Sequence, residues 1–541
     1  MIPAIAPVTL TLVRADPSRL LQQYFGFSEF RPGQPEAVAA ALAGRDVLAV
    51  MPTGAGKSLC YQLPALAGGG LTVVVSPLIA LMKDQVERLR RRGVGAAALN
   101  SQLSPAQQRA LLGQLRDLRL LYISPERLSS DAVQRRFREA GVTRLVVDEA
   151  HCISGWGHDF RPDYRQLGDI REKLGDPPVT ALTATATVVV RGDITTLLGL
   201  REPEVVLTGF DRPNLRYRVW PVPNETAKHE ALWTLLTRHP GPSVVYAGTR
   251  ERVEATARQL QTWGFKSAPY HAGLDAEERN SVQDAFLRNH IAVMVATNAF
   301  GMGVDKPDIG QVVHLDLPAS VEAYYQEAGR AGRDGEAATC TLLYAEGDAE
   351  RQRGLLSAST PTPLDLKRTF VGTKNAQPEP LAADTLGLNR GKLIGTLQLL
   401  EAQGIVTLAR QKRTLTLTLH PNWHSDVPEF KDSWTEAYAQ RRLRLLEQII
   451  LYTETGRCRR EALLSYFGDT ASRGACGCDH CVPEPFLTET SLSALPRFRT
   501  PQPVGRAGEI AGWLERQEFL ERHGLLGRRY RLSARGAQAL A

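Results

Sequence analysis

The fold class follows from the residues MPTGAGKS at positions 51–58, which come directly after a short apolar run and before a helical stretch. Glycines in such a loop let backbone N–H groups surround phosphate oxygens at a helix N-terminus. Lys57 can reach the terminal phosphates of a nucleotide, and the Ser58 hydroxyl can hold Mg²⁺. Met51 stands where the strict G-x-x-x-x-G-K-[ST] pattern has its first glycine, so a plain glycine turn is the alternative for this loop taken alone. The predicted nucleotide-binding residues of the loop are Thr53, Gly54, Ala55, Gly56, Lys57 and Ser58.

A second motif, LVVDEAH at positions 145–151, supports the nucleotide interpretation. A buried strand that ends in two carboxylates can place Asp148 on Mg²⁺ and Glu149 on the attacking water, as phosphoryl transfer requires. An acidic pair after a strand is by itself usually a solvated helix start. Because this pair follows a phosphate loop within the same series of strands, it predicts an ATPase.

Short β-rich apolar runs alternate with helical stretches in two regions, residues 45–206 and 243–345. Strands separated by helices indicate a parallel α/β sheet, so the pattern predicts an α/β chain with two such sheets in tandem. The boundary between them is expected near GFDRP at positions 209–213. The expected strands are Val47–Met51, Thr72–Val75, Leu120–Ile123, Leu145–Val147, Val179–Leu182, Ser243–Ala247, Ile291–Ala296, Val312–Leu315 and Thr341–Tyr344.

Length and composition limit the class of protein. The chain has 541 residues, a length typical of roughly three or four domains. Hydrophobic residues make up 43% and charged residues 23%, which excludes a wholly disordered chain. No apolar run approaches the ~18 residues of a membrane helix, and no basic residue precedes Arg14 as in a secretory signal. We therefore expect a cytoplasmic protein without a membrane partner, and its net charge of +7 permits an acidic polymer as partner.

A third motif, YQEAGRAGRDG at positions 325–335, lies in the region of the second predicted sheet. Arg330 and Arg333 are three residues apart and share a helix face, so both can reach γ-phosphate charge. The alternative is a solvated basic turn, which would be favoured if the motifs of the first sheet were absent.

Beyond residue 345 the pattern changes to small modules. Residues 381–419 are predicted to form a helix-turn-helix with a wing, in which Asn389 caps a helix and the strands Ile405–Leu408 and Thr414–Leu419 follow. A long amphipathic helix is expected over residues 434–456. The end of the chain, from Glu509 onward, predicts a second small winged helix with a strand at Tyr530–Leu532.

Four of the seven cysteines fall close together in the sequence, and in a cytoplasmic protein such a cluster favours a metal over disulfides. Four thiolates at this density match a closed tetrahedral structural zinc site. Reduced cysteines without metal are the alternative. The predicted zinc ligands are Cys458, Cys476, Cys478 and Cys481.

With these motifs in place, most of residues 20–345 resembles the superfamily 2 helicases, and specifically the RecQ family of DNA helicases. The resemblance implies two tandem RecA-like lobes, and in this superfamily a phosphate loop without the first glycine is ordinary. The segments that carry it are FGFSEFRPGQ (25–34), SPLIALMKDQ (76–85), SPERL (124–128), TATA (183–186), YHAGL (270–274) and ATNAFGMGVD (296–305).

The resemblance also implies roles for residues of the nucleotide site. Phe27 would stack on adenine, with Arg31 and Gln34 reading the polar edge of the base. Gln326, Arg330 and Arg333 would complete the site from the second lobe, with Arg333 as the arginine finger. The implied cofactors are ATP, Mg²⁺ and Zn²⁺.

The stretch CISGWGHDFRP at positions 152–162 resembles the aromatic-rich loop of RecQ proteins, which couples single-strand binding to hydrolysis. Trp156 and Phe160 offer stacking faces, Arg161 offers a phosphate or cation–π contact, and His158 lies between them. The alternative is that Trp156 and Phe160 are core residues. Glycines on both sides of Trp156 and polar neighbours favour an exposed loop.

The C-terminal region departs from the usual family order. A winged-helix-like segment precedes the predicted zinc module instead of following it. The terminal zinc-module cysteines of the family usually have the spacing C-x-x-C-x-x-C, whereas Cys476 and Cys478 are one residue closer together. This tighter turn makes His480 a less expected substitute ligand. Basic turns at 410–413 and 528–531 fit phosphate contacts or solvated turns equally well. The expected domains are 1–208 and 209–345 for the two lobes, 346–425 for a winged-helix-like domain, 426–487 for a zinc-binding helical domain and 488–541 for a basic winged-helix-like segment.

The motifs and the resemblance together predict an ATP-dependent DNA helicase of RecQ type, and the resemblance implies movement in the 3′→5′ direction. By the resemblance, its partners would be single-stranded and branched DNA, including four-way junctions, in recombination and repair near the nucleoid. A translocase that remodels junctions without processive unwinding is the main alternative. An RNA helicase and a non-enzymatic DNA-binding protein are alternatives that the aromatic-rich loop, the zinc motif and the intact ATPase motifs disfavour.

Overall fold

The computed structural model describes residues 16–482 apart from positions 53, 78, 101–102, 155–160, 301–305, 346, 412–413, 421–422, 424–425 and 470–475, together with 502–503, 520–523 and 529–533. The chain divides into two compact units. The first comprises Met1–Phe210, Leu355–Arg444 and Tyr466–Asp469, and the second Asp211–Gly354, Leu445–Ser465 and Thr470–Ala541. In the described part of the chain, no helix is both long and apolar enough to cross a membrane.

The first unit is built on a sheet of seven parallel strands. They are β1 (Val47–Val50), β2 (Leu71–Val75), β3 (Ala96–Leu99), β4 (Leu120–Ile123), β5 (Val142–Val147), β6 (Val179–Thr183) and β7 (Glu204–Leu207). Their order across the sheet is β3-β4-β2-β5-β6-β1-β7. Because β6 lies between β1 and β5, the segments that follow these three strands meet at one edge of the sheet.

Helices connect these strands and bury both faces of the sheet, which is why its central strands read as continuous apolar runs. They are α1 (Pro17–Leu20), α2 (Gln34–Leu42), α3 (Leu59–Gly68), α4 (Ile79–Arg91), α5 (Pro105–Gly113), α6 (Pro125–Leu128), α7 (Asp131–Ala140), α8 (Pro162–Arg165), α9 (Leu167–Lys173) and α10 (Val188–Leu197). One π-helical turn covers Leu21–Phe25, and 3₁₀ turns cover Leu115–Asp117 and Ala150–Ile153.

The second unit contains another parallel sheet, of six strands. They are β8 (Leu215–Val222), β9 (Ser243–Tyr246), β10 (Ser267–Tyr270), β11 (Val293–Ala296), β12 (Gln311–His314) and β13 (Ala338–Ala345), in the order β10-β11-β9-β12-β13-β8. The helices that follow its strands are α11 (Glu225–Arg238), α12 (Arg250–Thr262), α13 (Ala276–Leu287), α14 (Val321–Ala328) and α15 (Gly347–Ala358). The predicted tandem of two parallel α/β sheets is therefore confirmed.

A small module in the first unit has the element order of a winged helix. It consists of α16 (Pro363–Ala376), β14 (Leu381–Ala382), a 3₁₀ turn at Ala383–Leu386, α17 (Arg390–Ala402), β15 (Val406–Gln411) and β16 (Thr414–Leu419). The three strands form an antiparallel sheet over a core that includes Phe370, Leu400 and Leu417. Asn389 caps α17 as predicted, with its side-chain oxygen accepting from the backbone of Lys392. Helix α16, which begins directly after its Thr362 cap, was not predicted from the sequence.

The remaining described elements are two helices and a short sheet. They are α18 (Asp432–Glu454), α19 (Arg459–Tyr466) and the strands β17 (Gln502–Pro503), β18 (Leu520–His523) and β19 (Arg529–Leu532). The predicted amphipathic helix is thus α18, and the predicted terminal strand is β19. The predicted helix from Glu509 onward and the tips of both basic turns lie outside the described residues.

Candidate functional site

The phosphate loop leaves the end of β1 and enters α3, with Ser58 as the residue before the helix. Gly54 and Gly56 have φ values of +88° and +81°, a left-handed conformation that favours glycine. A side chain at Gly56 would also lie 2.5 Å from the Gln34 amide nitrogen. The loop therefore needs glycine at these two positions to hold its shape, which supports the predicted phosphate cradle.

Two residues upstream of the loop hold it in place. The Gln34 side chain donates to the carbonyls of Ala55 and Gly56 at 3.1 Å each, and its own oxygen accepts from the Arg31 backbone at 2.9 Å. The Arg31 guanidinium donates to the Gly54 carbonyl at 2.5 Å. In this structure both side chains thus bind the loop, and their role at the edge of adenine stays a prediction.

Two further side chains of the predicted nucleotide site are described, whereas Thr53 lies outside the described residues. The Lys57 ammonium donates to the carbonyl of Met51 at 3.1 Å, so its charge lies over the loop, where phosphates would bind. Phe27 is 47% exposed, an unusual exposure for phenylalanine. Its exposed face suits the stacking role that the family resemblance implies.

The acidic pair follows β5 at the same edge of the sheet. The Asp148 backbone donates to the Val75 carbonyl at 2.9 Å, and the Ser76 hydroxyl donates to the Asp148 carboxylate at 3.4 Å. Burial and the neighbouring Glu149 raise the pKa of Asp148 to about 7, against the opposite effect of Lys57. Carboxylate and hydroxyl oxygens are ligands that Mg²⁺ prefers, so Asp148 and Ser58 fit the cation that the family implies. A bound cation would favour the ionised carboxylate.

Glu149 adopts an uncommon backbone conformation, with φ of +50°. Such strain in a residue other than glycine costs about 1–3 kcal/mol and is concentrated at functional sites. Its carboxylate lies 3.4 Å from Nδ1 of the buried His151, and the same nitrogen lies 2.9 Å from the hydroxyl of Thr183 at the end of β6. The acidic pair is thus connected through His151 to the neighbouring strand, a connection that the sequence analysis did not foresee.

The aromatic-rich loop is described only at its two ends, because Trp156, His158 and Phe160 lie outside the described residues. At its start, the Ser154 hydroxyl donates to Asp193 at 2.5 Å. At its end, the Arg161 backbone donates to the Cys152 carbonyl at 2.9 Å. The fully buried Tyr164 follows in α8, and its hydroxyl donates to the Asp148 carbonyl at 2.9 Å. The helix that follows the loop is therefore hydrogen-bonded directly to the acidic pair.

In the second unit, the arginine motif begins in α14 and continues into the turn after it. Gln326 is half-buried, Arg330 is 8% exposed and Arg333 is half-buried. The helix is fixed to the sheet by a contact of 2.9 Å between Glu327 and His314 of β12. These residues are therefore held by packing rather than exposed as a solvated basic turn.

The four predicted zinc ligands converge in the second unit. The sulfur atoms of Cys458, Cys476, Cys478 and Cys481 all lie within 4.8 Å of one another. Zn–S bonds of about 2.3 Å in a tetrahedron separate sulfurs by about 3.8 Å, so the set fits zinc. Arg459 supports the site, since its guanidinium contacts both carboxylate oxygens of Asp479 at 3.0–3.1 Å, between two of the cysteines.

The winged-helix module packs on the first sheet's own helices, where α17 contacts α8. The charges of Asp163 and Arg165 in α8 act on the carboxyl of Glu401, near the end of α17. Burial, reinforced by Asp163, raises the pKa of Glu401 to about 8. The surface of α17 that carries Glu401 is therefore covered by α8, the helix that follows the aromatic-rich loop.

Comparison with family models gives three matches. Residues 31–191 match the DEAD/DEAH box helicase model, residues 227–335 match the helicase conserved C-terminal domain, and residues 425–482 match the RecQ zinc-binding model. The first match contains the phosphate loop and the acidic pair, the second contains the arginine motif, and the third contains the four cysteines.

Individual relatives agree with these models. The chain is 37% identical over 456 residues to the probable ATP-dependent DNA helicase RecS of Bacillus subtilis, covering 83% of this chain and 88% of that protein. It is 45% identical over 332 residues to the ATP-dependent DNA helicase RecQ of Pasteurella multocida, covering 61% of this chain but 52% of that protein. Among solved structures, the Mycobacterium smegmatis helicase Lhr bound to ssDNA and AMP-PNP is similar in fold, with a TM-score of 0.51, 24% identity, and coverage of 75% and 61% of the two chains.

Proposed function

Since the chain belongs to the RecQ family of DNA helicases, we propose that it is an ATP-dependent DNA helicase that unwinds duplexes in the 3′→5′ direction. The observation that carries the proposal is the meeting of the phosphate loop and the acidic pair at one edge of the first sheet. Lys57 supplies positive charge for the phosphates, and Glu149 orients the attacking water. Arg330 and Arg333 stabilise charge on the transferred phosphoryl group, with Gln326 beside them.

The metal ions have separate parts in this proposal. Mg²⁺ held by Ser58 and Asp148 would neutralise charge on the phosphates. Zn²⁺ held by the four cysteines would stabilise its module without contacting the nucleotide. Single-stranded DNA would bind the aromatic-rich loop through Trp156, His158, Phe160 and Arg161. We further propose branched DNA as a substrate, and recombination and repair near the cytoplasmic nucleoid as the setting.

A second candidate is a DNA-stimulated translocase that remodels junctions without processive unwinding. The order along the chain favours it, because the winged-helix module precedes the predicted zinc module, whereas in the usual family order a winged helix follows it.

Strand separation of tailed duplexes tests the proposal. Duplexes with either a 3′ or a 5′ single-stranded tail are incubated with the full chain, ATP and Mg²⁺. We expect selective separation of the 3′-tailed duplex. Separation of the 5′-tailed duplex would contradict the polarity, and DNA-stimulated hydrolysis without separation would favour the translocase. RNA-stimulated hydrolysis that exceeds the DNA-stimulated rate would instead favour an RNA helicase.

A further inference from the structure

The segment Asp211–Arg216, which ends with the first two residues of β8, lies against the turn that carries the motif arginines. The Arg212 guanidinium donates to three backbone carbonyls of this turn, those of Gly329 at 3.1 Å, Ala331 at 3.0 Å and Gly332 at 2.9 Å. These carbonyls come from residues on both sides of Arg330 and next to Arg333. A single planar side chain thus fixes the backbone from which both arginines project.

A neighbouring residue adds to this arrangement. The Asn214 side chain donates to the carbonyls of Gly332 and Glu336 at 2.8 Å each. Gly332 has φ of +55°, and a side chain there would lie 2.5 Å from the Asn214 amide nitrogen. The turn therefore takes its shape from the segment before β8 as much as from its own sequence.

The same segment is held from its other side by the zinc module, defined here as residues 458–465 and 476–482. Arg460, in the first turn of α19, forms an ion pair of 2.5 Å with Asp211. The Arg460 side chain is 8% exposed and that of Asp211 is 24% exposed, so water screens this pair only weakly.

The zinc module also packs against the segment Asp211–Arg216 at a second point. Gly477 lies between two zinc ligands, and a Cβ atom there would be 3.1 Å from the side chain of Arg216. Gly477, the residue between Cys476 and Cys478, thus lacks a side chain at the point where the zinc-binding loop approaches β8. Both contacts join the zinc module to the residues on either side of Arg212.

We infer that Arg212 is a positioning residue for the arginine turn, and that the zinc module fixes Arg212 through the Arg460–Asp211 ion pair. The inference rests on the proposed function, because it assigns the two motif arginines to ATP hydrolysis. Arginines that stabilise a developing charge must be held close to their working geometry, and a displacement of about 1 Å can cost about 10²-fold in rate. The zinc module thus affects the rate of ATP hydrolysis by positioning the arginine turn, without contacting the nucleotide.

Steady-state ATP hydrolysis with single-stranded DNA tests the inference. For Arg212→Ala we expect kcat to fall about 10²-fold, with KM for ATP changed by less than about threefold. For Arg460→Ala and Asp211→Asn we expect a smaller fall in kcat, on the order of tenfold, because each leaves Arg212 itself in place. Arg460→Lys keeps the charge and should recover most of the rate.

Three measurements separate positioning from a structural effect. Bound zinc should stay at the parental value in Asp211→Asn, which lies outside the zinc module, and the unfolding temperature should stay well above the assay temperature. Affinity for ADP with aluminium fluoride, which resembles the transferring phosphoryl group, should fall in the variants while affinity for ADP stays constant. Arg353→Ala is the matched control, since it breaks an ion pair with Glu447 in the same unit away from the arginine turn.

The outcomes are distinguishable. An active parent protein together with parental kcat in Arg212→Ala and Asp211→Asn would overturn the inference alone. An equal fall in kcat in Arg353→Ala would also overturn it, because any lost ion pair would then have the same effect. A parent protein that does not hydrolyse ATP at all would contradict the proposed function and the inference with it.

Discussion

The hydroxyl of Tyr164 donates a hydrogen bond of 2.9 Å to the backbone carbonyl of Asp148. Tyr164 is fully buried and stands in α8, directly after the aromatic-rich loop, while Asp148 begins the acidic pair. If the loop binds DNA as proposed, a displacement of its end would be transmitted to the carboxylates through α8 and this hydrogen bond. This connection gives a physical basis for coupling DNA binding to hydrolysis.

Tyr164→Phe removes the donor and keeps the ring. We expect the ratio of DNA-stimulated to basal ATP hydrolysis to fall by roughly threefold or more, since the coupling contact is lost. The free energy of unfolding should fall by about 0.5–1.5 kcal/mol, because the part-buried hydrogen bond to the Asp148 carbonyl is lost. Hydrolysis with and without oligonucleotide, and urea unfolding, measure the two effects.

The comparison for this variant is Trp156→Ala, which should keep ATP binding but lose DNA stimulation. Parental stimulation in Tyr164→Phe would show that the hydrogen bond carries no signal. Parental stimulation in Trp156→Ala would contradict the role of the aromatic-rich loop in coupling DNA binding to ATP hydrolysis.

Lys57→Ala should reduce ATP hydrolysis by at least about 10²-fold, because the phosphate loop loses the cation that faces the phosphates. The measurement is kcat with saturating DNA. Lys173→Ala, at an exposed position of α9 in the same unit, is the control and should hydrolyse ATP at the parental rate. A Lys57→Ala protein with parental kcat would refute the phosphate-loop assignment.

Cys478→Ser should lower bound zinc and the unfolding temperature, because a closed tetrahedral site that loses a buried thiolate binds its metal weakly. Zinc content after dialysis and thermal unfolding measure these effects. His480→Ala is the matched control and should keep its zinc. Intact zinc in Cys478→Ser together with lost zinc in His480→Ala would identify His480 as the ligand instead.

Glu401→Gln should change the pH dependence of stability. Folding raises the pKa of this carboxyl from 4.5 to about 8, so the folded protein holds a proton that the unfolded chain has already released. The parent therefore loses stability as the pH rises between these two values, and the variant does not. We expect Glu401→Gln to be the more stable protein at pH 8.

Unfolding by urea between pH 5 and pH 9 measures this difference, which should be small at the acid end and largest at the alkaline end. Glu436→Gln, an exposed position on α18, is the control and should follow the parent. A constant difference between Glu401→Gln and the parent across this range would show that the Glu401 carboxyl titrates normally.

The sequence by itself determined the two parallel sheets, and it supplied the predicted residues of the site. All nine expected strands are present, with ends displaced by at most three residues. Strands such as β3, with the sequence AAAL, and β10, with SAPY, were missed because alanine and proline do not favour strands and both lie at or near a sheet edge. The phosphate loop, the acidic pair and the zinc ligands were readable because their chemistry depends on residue types at short, fixed spacing.

Only the tertiary structure decided how these groups are held. Tyr164 binds the carbonyl of Asp148, Arg212 binds three carbonyls of the arginine turn, and Arg31 and Gln34 bind carbonyls of the phosphate loop. Every residue has a backbone carbonyl, so a site that accepts a hydrogen bond leaves no mark in the sequence. The burial of Glu401 beside α8 is also invisible in the sequence. A carboxylate on a helix is expected to be solvated, and only the packing of a distant segment shows that it is covered.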